Sequence, residues 1–188
     1  MSQERKPLVA VGLSGSPSPN SRSRILLERT LTHLAEHNVS TQLLDLSELP
    51  ADALLGRRRD SVIDTSIQQT AEANIIVLAT PVYRATYTGQ LKAFLDLFPQ
   101  NSLRNRVVGL IATGATPLHG LAIDHGLRPL VASLSGLSAS EAIYVTDGQF
   151  PDKAQLPDEI QQRIVQLAHE LYVLANGLQH PIIHHAQH

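Results

Sequence analysis

Four short, almost unbroken apolar runs punctuate the chain: LVAVGL at 8–13, IIVLAT at 75–80, VVGLIAT at 107–113 and AIYVT at 142–146. None shows the alternation of a half-buried strand, so each predicts a strand covered on both faces. VSTQLLDL, at 39–46, alternates better and predicts a strand nearer a sheet edge. Between the runs the apolar positions follow helical spacing. In SRILLERTLTHLAEH, Leu27, Leu31, Leu34 and Ala35 share one face, while Glu28, Arg29, Thr32 and Glu36 point away. Further helices are predicted over 61–73, 88–98, 118–135 and 157–178. The last opens on Pro157-Asp158-Glu159 and closes at Asn176-Gly177, which suits a helix start and stop. Strands alternating with helices imply a parallel sheet with right-handed crossovers. The expected architecture is α/β: a three-layer, doubly wound sheet of five strands with helices on both faces, in one domain over 1–178. The tail QHPIIHHAQH, 179–188, is expected to be flexible.

Composition narrows the chemistry. A chain of 188 residues, 43% hydrophobic and 17% charged, is long enough to bury a core without disulfides or metals. A formal charge of −2 offers no basic stripe for nucleic acid. Arg57-Arg58-Arg59 is the one basic run; it reads as a solvated edge, with contact to an anionic ligand as the alternative. The absence of cysteine excludes disulfides, thiol nucleophiles, Cys-ligated zinc and iron–sulfur clusters. The polar MSQERKP start is unlike a signal peptide, and no apolar run approaches the ~20 residues that span a bilayer, so a cytoplasmic protein is expected. His33-Leu34-Ala35-Glu36-His37 matches HxxEH, but its histidines fall on the polar side of their helix without a third ligand. It reads as surface; His184, His185 and His188 can bind metal ions adventitiously, but a flexible tail is a poor catalytic site. No metal site is expected.

In open parallel sheets, ligands bind beyond the carboxyl ends of the strands, where strand order reverses. Three such ends stand out. After the first strand, residues 14–24 carry five serines, two prolines and two arginines. This is neither GxGxxG nor a Walker A loop. It is a hydroxyl-rich entry to a helix whose first turn has unpaired N–H groups and a positive dipole end. Ser16, Ser18, Ser21 and Ser23, with charge from Arg22 or Arg24, suit a phosphate monoester; the plainer alternative is an ordinary helix cap. After the third strand comes ATPVYRATYTGQLKAFLD, 79–96. Pro81 stiffens this loop, Tyr83 and Tyr87 offer flat surfaces to a planar heterocycle, and Gly89 permits a tight turn; two packing tyrosines are the alternative. After the fourth strand, IATGATPLHG, 111–120, has small residues that let backbone amides approach a ligand.

Together GSPSPNSRS, TPVYRATYTGQLKAFLDLFP and ATGATPLHGLAIDHGLRP resemble, in this order over most of 8–150, the NAD(P)H-dependent FMN reductases of flavodoxin-like fold. Within that family the likeness is to reductases that serve alkanesulfonate and methanesulfonate monooxygenases. The resemblance implies strand order 2-1-3-4-5 and FMN bound with its phosphate on Ser14, Ser16, Ser21, Arg22 and Ser23. Its ribityl and ring contacts then fall on Pro81, Val82, Tyr83, Arg84, Thr113 and Gly114. The implied reaction is hydride transfer from NAD(P)H to flavin N5, with the reduced flavin supplied to a partner monooxygenase. Backbone amides are expected to stabilise charge near flavin N1, without a side-chain acid or base. A homodimer or homotetramer is also implied. The alternatives are a quinone or azo reductase that keeps its FMN, and a flavodoxin-type carrier. Carriers tend to be strongly acidic, and this chain is near neutral.

LAIDHGLRPLV adds a local expectation. Pro129 has no N–H, so in a continuous helix the carbonyl of His125 loses its partner, and Gly126 loosens the same turn. A kink or π-bulge is expected at His125, of a kind that often sits at functional sites. The resemblance associates a Tyr or His here with the flavin site and the oligomer interface; an ordinary proline kink is the alternative.

Overall fold

The chain was analysed as a computed structural model that describes residues 7–150, 152 and 155–179. Its strands are β1 (Val9–Ser14), β2 (Ser40–Asp45), β3 (Ile75–Pro81), β4 (Val107–Gly114) and β5 (Leu137–Thr146). All pairings are parallel, and the order is β2-β1-β3-β4-β5, as expected. The helices are α1 (Arg22–Glu36), α2 (Ala51–Leu54), α3 (Ser61–Glu72), α4 (Gly89–Leu95), α5 (Arg128–Ser133) and α6 (Asp158–Leu178). No described helix is long and apolar enough to cross a membrane.

Near-continuous apolar strands work here because each face of the sheet has its own core. Ala10, Ile75, Val77, Ala79, Val107 and Ile111 face α1 and α6, where Leu26, Leu27, Leu34, Ile164 and Leu171 are fully buried. Val11, Leu13, Ile76, Leu78, Val108 and Leu110 face α3, α4 and α5, packing on Phe94, Leu91, Ile63 and Val131. Each fully buried leucine or isoleucine is worth about 2 kcal/mol relative to an exposed one. The periodicity of 2 along the strands therefore sorts apolar side chains between two layers of helix.

Three boundaries differ from expectation. The helix expected over 118–135 is broken into a 3-10 turn (Pro117–Gly120), a π-helical segment (Ile123–Leu127) and α5. The π segment is where the missing Pro129 N–H placed it: the Arg128 N–H reaches past the usual partner to the Ile123 carbonyl. Second, β5 starts at Leu137, five residues before the apolar run AIYVT, and its pairing with β4 shifts register between Val108 and Leu110. As an edge strand it meets its outer backbone partners through side chains. Arg128 donates to the Ala139 and Ser140 carbonyls, Arg163 donates to Ala142, and the Glu170 carboxylate accepts from the Ser140 and Glu141 N–H groups. Third, the short helix α2 was not expected; it lies just before the exposed Arg57, which stands 3.9 Å from Asp52, while Arg58 is 3.2 Å from Asp60. Of the tail expected to be flexible, 179–188, Gln179 caps α6 with its N–H on the Asn176 carbonyl, and residues 180–188 lie outside the described residues.

Candidate functional site

The ends of β1, β3, β4 and β5 converge, and their loops are stitched to one another. The Gly15 N–H donates to the Ala79 carbonyl at 2.8 Å, and the Val82 N–H to Thr113 at 2.7 Å. The Asp147 N–H donates to Gly114 at 3.0 Å. Thr88 is the hub between the first two loops. Its hydroxyl caps α4 by accepting from the Leu91 N–H, and donates to the Gly15 carbonyl at 2.6 Å. Its own N–H donates to the Thr80 hydroxyl at 3.1 Å. Thr80, Thr88 and Gly15 were not singled out in the sequence, because a buried hydroxyl relay between distant loops leaves no local signature.

The serine-rich loop forms the entry to α1. Ser21 is its N-cap, accepting from the Arg24 N–H at 3.2 Å, and its hydroxyl lies 3.2 Å from that of Ser23. Ser16 accepts from the Ser18 N–H. Ser14, at the last position of β1, is buried and its hydroxyl has no hydrogen-bond partner. An unsatisfied buried hydroxyl costs about 1–3 kcal/mol, so the loop is built with a polar group left over.

The two arginines part company. Arg24 leaves the loop for Glu28, at 2.9 Å, and for the nearly buried carboxylate of Asp45. The hydrogen bond to Glu28 holds its pKa above the ordinary arginine value, with Asp45 and Glu48 acting in the same sense. Charge for the loop therefore falls to Arg22 and not to Arg24. The Arg22 guanidinium stays beside the loop, donating to the Phe150 carbonyl at 2.6 Å and to Asp147 at 3.1 Å. It thereby ties the segment after β5 to the start of α1.

Pro81 ends β3, and Val82 is buried behind it. Tyr83 and Thr86 exchange backbone hydrogen bonds around Arg84 and Ala85, whose φ angles are +52° and +69°. Positive φ at both central residues is the type I′ turn, normally reserved for Asn and Gly. This turn and His119 line a cleft of about 570 Å³, with Val82 and Tyr83 among its walls. Tyr83 is half exposed there.

Gly114 and the turn after β4 form the opposite side. A Cβ on Gly114 would stand 2.6 Å from Tyr144 Oη and 3.3 Å from His119 Cβ and Nδ1, so only glycine fits. Tyr144 Oη donates to the Thr116 carbonyl at 2.5 Å. Burial, helped by the Asp147 charge, raises the Tyr144 pKa above its usual 10.0. The π segment completes the wall: a Cβ on Gly126 would meet Thr86 Oγ1 at 3.1 Å and Tyr87 Cδ1 at 3.2 Å. His125 itself is exposed, one residue from this contact.

Ser14, Ser16, Ser21 and Ser23 therefore gather at one junction, and Pro81, Val82, Tyr83, Arg84, Thr113 and Gly114 at its neighbours. The HxxEH residues are elsewhere. His33 pairs with Glu36 at 2.9 Å, and the His37 ring stacks on Tyr172 with centroids 4.6 Å apart. Among the described residues no group of three His, Cys, Asp or Glu side chains is placed to hold a metal ion.

A family described as NADPH-dependent FMN reductase matches residues 9–151, the stretch that carries the whole sheet and every loop just described. The chain belongs to this family. An FMN reductase (NADPH) of Pseudomonas putida KT2440 is 35% identical to it over 163 residues, 84% of this chain and 83% of that one. The NADH-dependent FMN reductase SfnE of Pseudomonas putida is 33% identical over 180 residues, 94% and 96% of the two chains. In three dimensions, the apo crystal structure of the NADH:FMN oxidoreductase EMOB superposes with a TM-score of 0.81 at 31% identity, over 93% of this chain and 92% of that one. The chain is thus of an oxidoreductase family, whose cofactor and reductant, FMN and NAD(P)H, are those expected from the sequence.

Proposed function

We propose that the protein reduces FMN with NAD(P)H and supplies the reduced flavin to a partner monooxygenase of sulfonate metabolism. The observation that carries the flavin site is the junction at Ser14. An unpartnered buried hydroxyl, the hydroxyls of Ser16, Ser21 and Ser23, and the α1 N-terminus together offer more donors than a helix cap uses. A phosphate monoester has oxygens to accept them. The cleft beside the Tyr83–Thr86 turn, lined by Val82, Tyr83, Arg84, Ala85 and His119, offers about 570 Å³ for a flavin ring. These residues fit FMN.

In this reading Ser14, Ser16, Ser21 and Ser23 hold the phosphate, while Arg22 adds charge and ties the segment after β5 to the same loop. Pro81, Val82, Tyr83, Arg84, Thr113 and Gly114 hold the ribityl chain and ring. When bound, FMN supplies N5 as the hydride acceptor for the reduced nicotinamide. The chain's own contribution is orientation. The Val82–Thr113 and Gly114–Asp147 bonds fix the loops that flank the ring, and the half-exposed Tyr83 leaves one side open to a second planar molecule. Near-neutral charge and an open cleft favour a reductase that exchanges its flavin over an acidic carrier. Exposed Leu118 and Leu121, beside exposed His125, offer apolar surface to a second copy of the chain.

The deciding experiment is NADH and NADPH oxidation by the purified protein, with and without free FMN, compared with quinone and azo acceptors. Oxidation that depends on free FMN, with little flavin retained on purification, supports the proposal. Tightly held FMN with quinone or azo turnover replaces it with the alternative reductase. No oxidation with any acceptor overturns both.

A further inference from the structure

One ring nitrogen beside the cleft has no partner. His119 sits in the 3-10 turn Pro117–Gly120 and lines the cleft across from Tyr83, Arg84 and Ala85. Its Nδ1 is buried, makes no hydrogen bond, and lies against Gly114. Orphaned N–H groups are the rarest unsatisfied groups in protein interiors, which favours the lone pair on Nδ1 and leaves Nε2 as the donor. The ring therefore brings one donor, Nε2–H, to a residue that lines the cleft. The turn that carries it is braced from beneath. Tyr144 Oη donates to Thr116, three residues before His119, and the Tyr144 ring lies 3.2 Å from where a Cβ on Gly120 would stand.

We propose that His119 is a flavin-binding residue whose Nε2–H donates to a carbonyl oxygen of the isoalloxazine, and that Tyr144 is the positioning residue that sets it. This rests on the FMN reading above and deepens it. The ring system has carbonyl oxygens only on its pyrimidine end, so a donor to one of them also sets which end of the ring lies under the β4 turn. The dimethylbenzene end has nothing to accept the bond. His119 would thus decide the ring's orientation, which the backbone amides alone leave to shape.

The test is a titration of the full-length protein with FMN, read by quenching of flavin fluorescence, alongside circular dichroism of each variant. A neutral hydrogen bond is worth roughly 2- to 10-fold in affinity. His119→Ala should lose that much, and His119→Gln, whose amide nitrogen reaches about as far as Nε2, should recover most of it. Tyr144→Phe should weaken binding in the wild-type background and add little to His119→Ala, because it acts through the same residue. A merely structural role would give additive losses. In protein labelled with 15N-histidine, the Nε2 signal of His119, identified by its loss in His119→Gln, should move when FMN is added.

Wild-type affinity in His119→Ala, while Ser21→Ala still weakens FMN binding, overturns the role of His119 and leaves the flavin site standing. Wild-type affinity in both variants overturns the flavin site itself. Should His119→Ala fail to fold, the labelled wild-type protein decides: a ring signal that FMN leaves unmoved ends the proposal.

Discussion

Alanine at Gly114 should damage this protein more than its size suggests. The new Cβ would stand 2.6 Å from Tyr144 Oη, where non-bonded heavy atoms prefer about 3.5 Å or more. Tyr144 has little room to retreat, since its hydroxyl is bonded to Thr116 and its ring packs on Gly120. Swinging the phenol away breaks that bond, a loss of about 1 kcal/mol, and overpacking adds about 1–3 kcal/mol. The sum is about 2–4 kcal/mol, or roughly 5–15 °C in Tm for a chain of this length. Urea unfolding of the FMN-free protein measures it directly. Because the tight contact is to Oη, removing that atom should relieve the clash. The Gly114→Ala/Tyr144→Phe double variant should then lose at least about 1 kcal/mol less than the two single losses added. A loss below about 0.5 kcal/mol in Gly114→Ala, or strict additivity in the double variant, would refute the packing described for this turn.

Three further outcomes follow from the same loops. Thr88→Val removes both the α4 cap and the bond to Gly15, and should lower the urea midpoint by the equivalent of about 2 kcal/mol at unchanged m; a loss under 0.5 kcal/mol would mean the relay carries no load. Ala85→Gly should stabilise the protein by about 0.5 kcal/mol in thermal melts, since relief of about 1 kcal/mol of left-handed strain is partly offset by the freedom glycine gains on unfolding; destabilisation would contradict the type I′ turn. The Tyr144 pKa is raised in the folded state, so the native protein holds that proton more tightly than the unfolded chain. Its contribution is fully present below about pH 10 and is lost as pH rises through the higher folded value, so urea stability should decline above pH 10 less steeply in Tyr144→Phe than in wild type.

What the sequence made legible, and what it hid, divides along the range of the interactions. The central strands and α1, α3 and α6 were readable because burial on two faces, helical spacing and end signals are written within each segment. The π segment was readable for the same reason: a proline lacking its N–H acts only four residues away, at His125. The start of β5 was not. LSASE is small and polar, and it is a strand because Arg128, Arg163 and Glu170 satisfy or flank its outer edge. Arg24 was half legible. Its partner Glu28 lies one helical turn on, but Asp45 arrives from the end of β2. Nothing in the sequence marked His119, whose standing depends on Gly114 and on Tyr144 from another strand.

These long-range ties also brace the loops of the site against one another. The loops after β1, β3, β4 and β5 are joined pairwise by the Gly15–Ala79, Val82–Thr113 and Gly114–Asp147 backbone bonds, and again by Thr88. Neutral groups make all of these bonds; the charged tie is Arg22, which holds Asp147 and the Phe150 carbonyl beside the first loop. The Ser14 hydroxyl is left without a partner at the first loop, and the turn after β4 brings His119, the donor proposed above, to the cleft. A flavin mononucleotide carries its phosphate at one end and its ring carbonyls at the other. Loops tied together in this way lose little entropy on binding, which suits the exchangeable flavin proposed above.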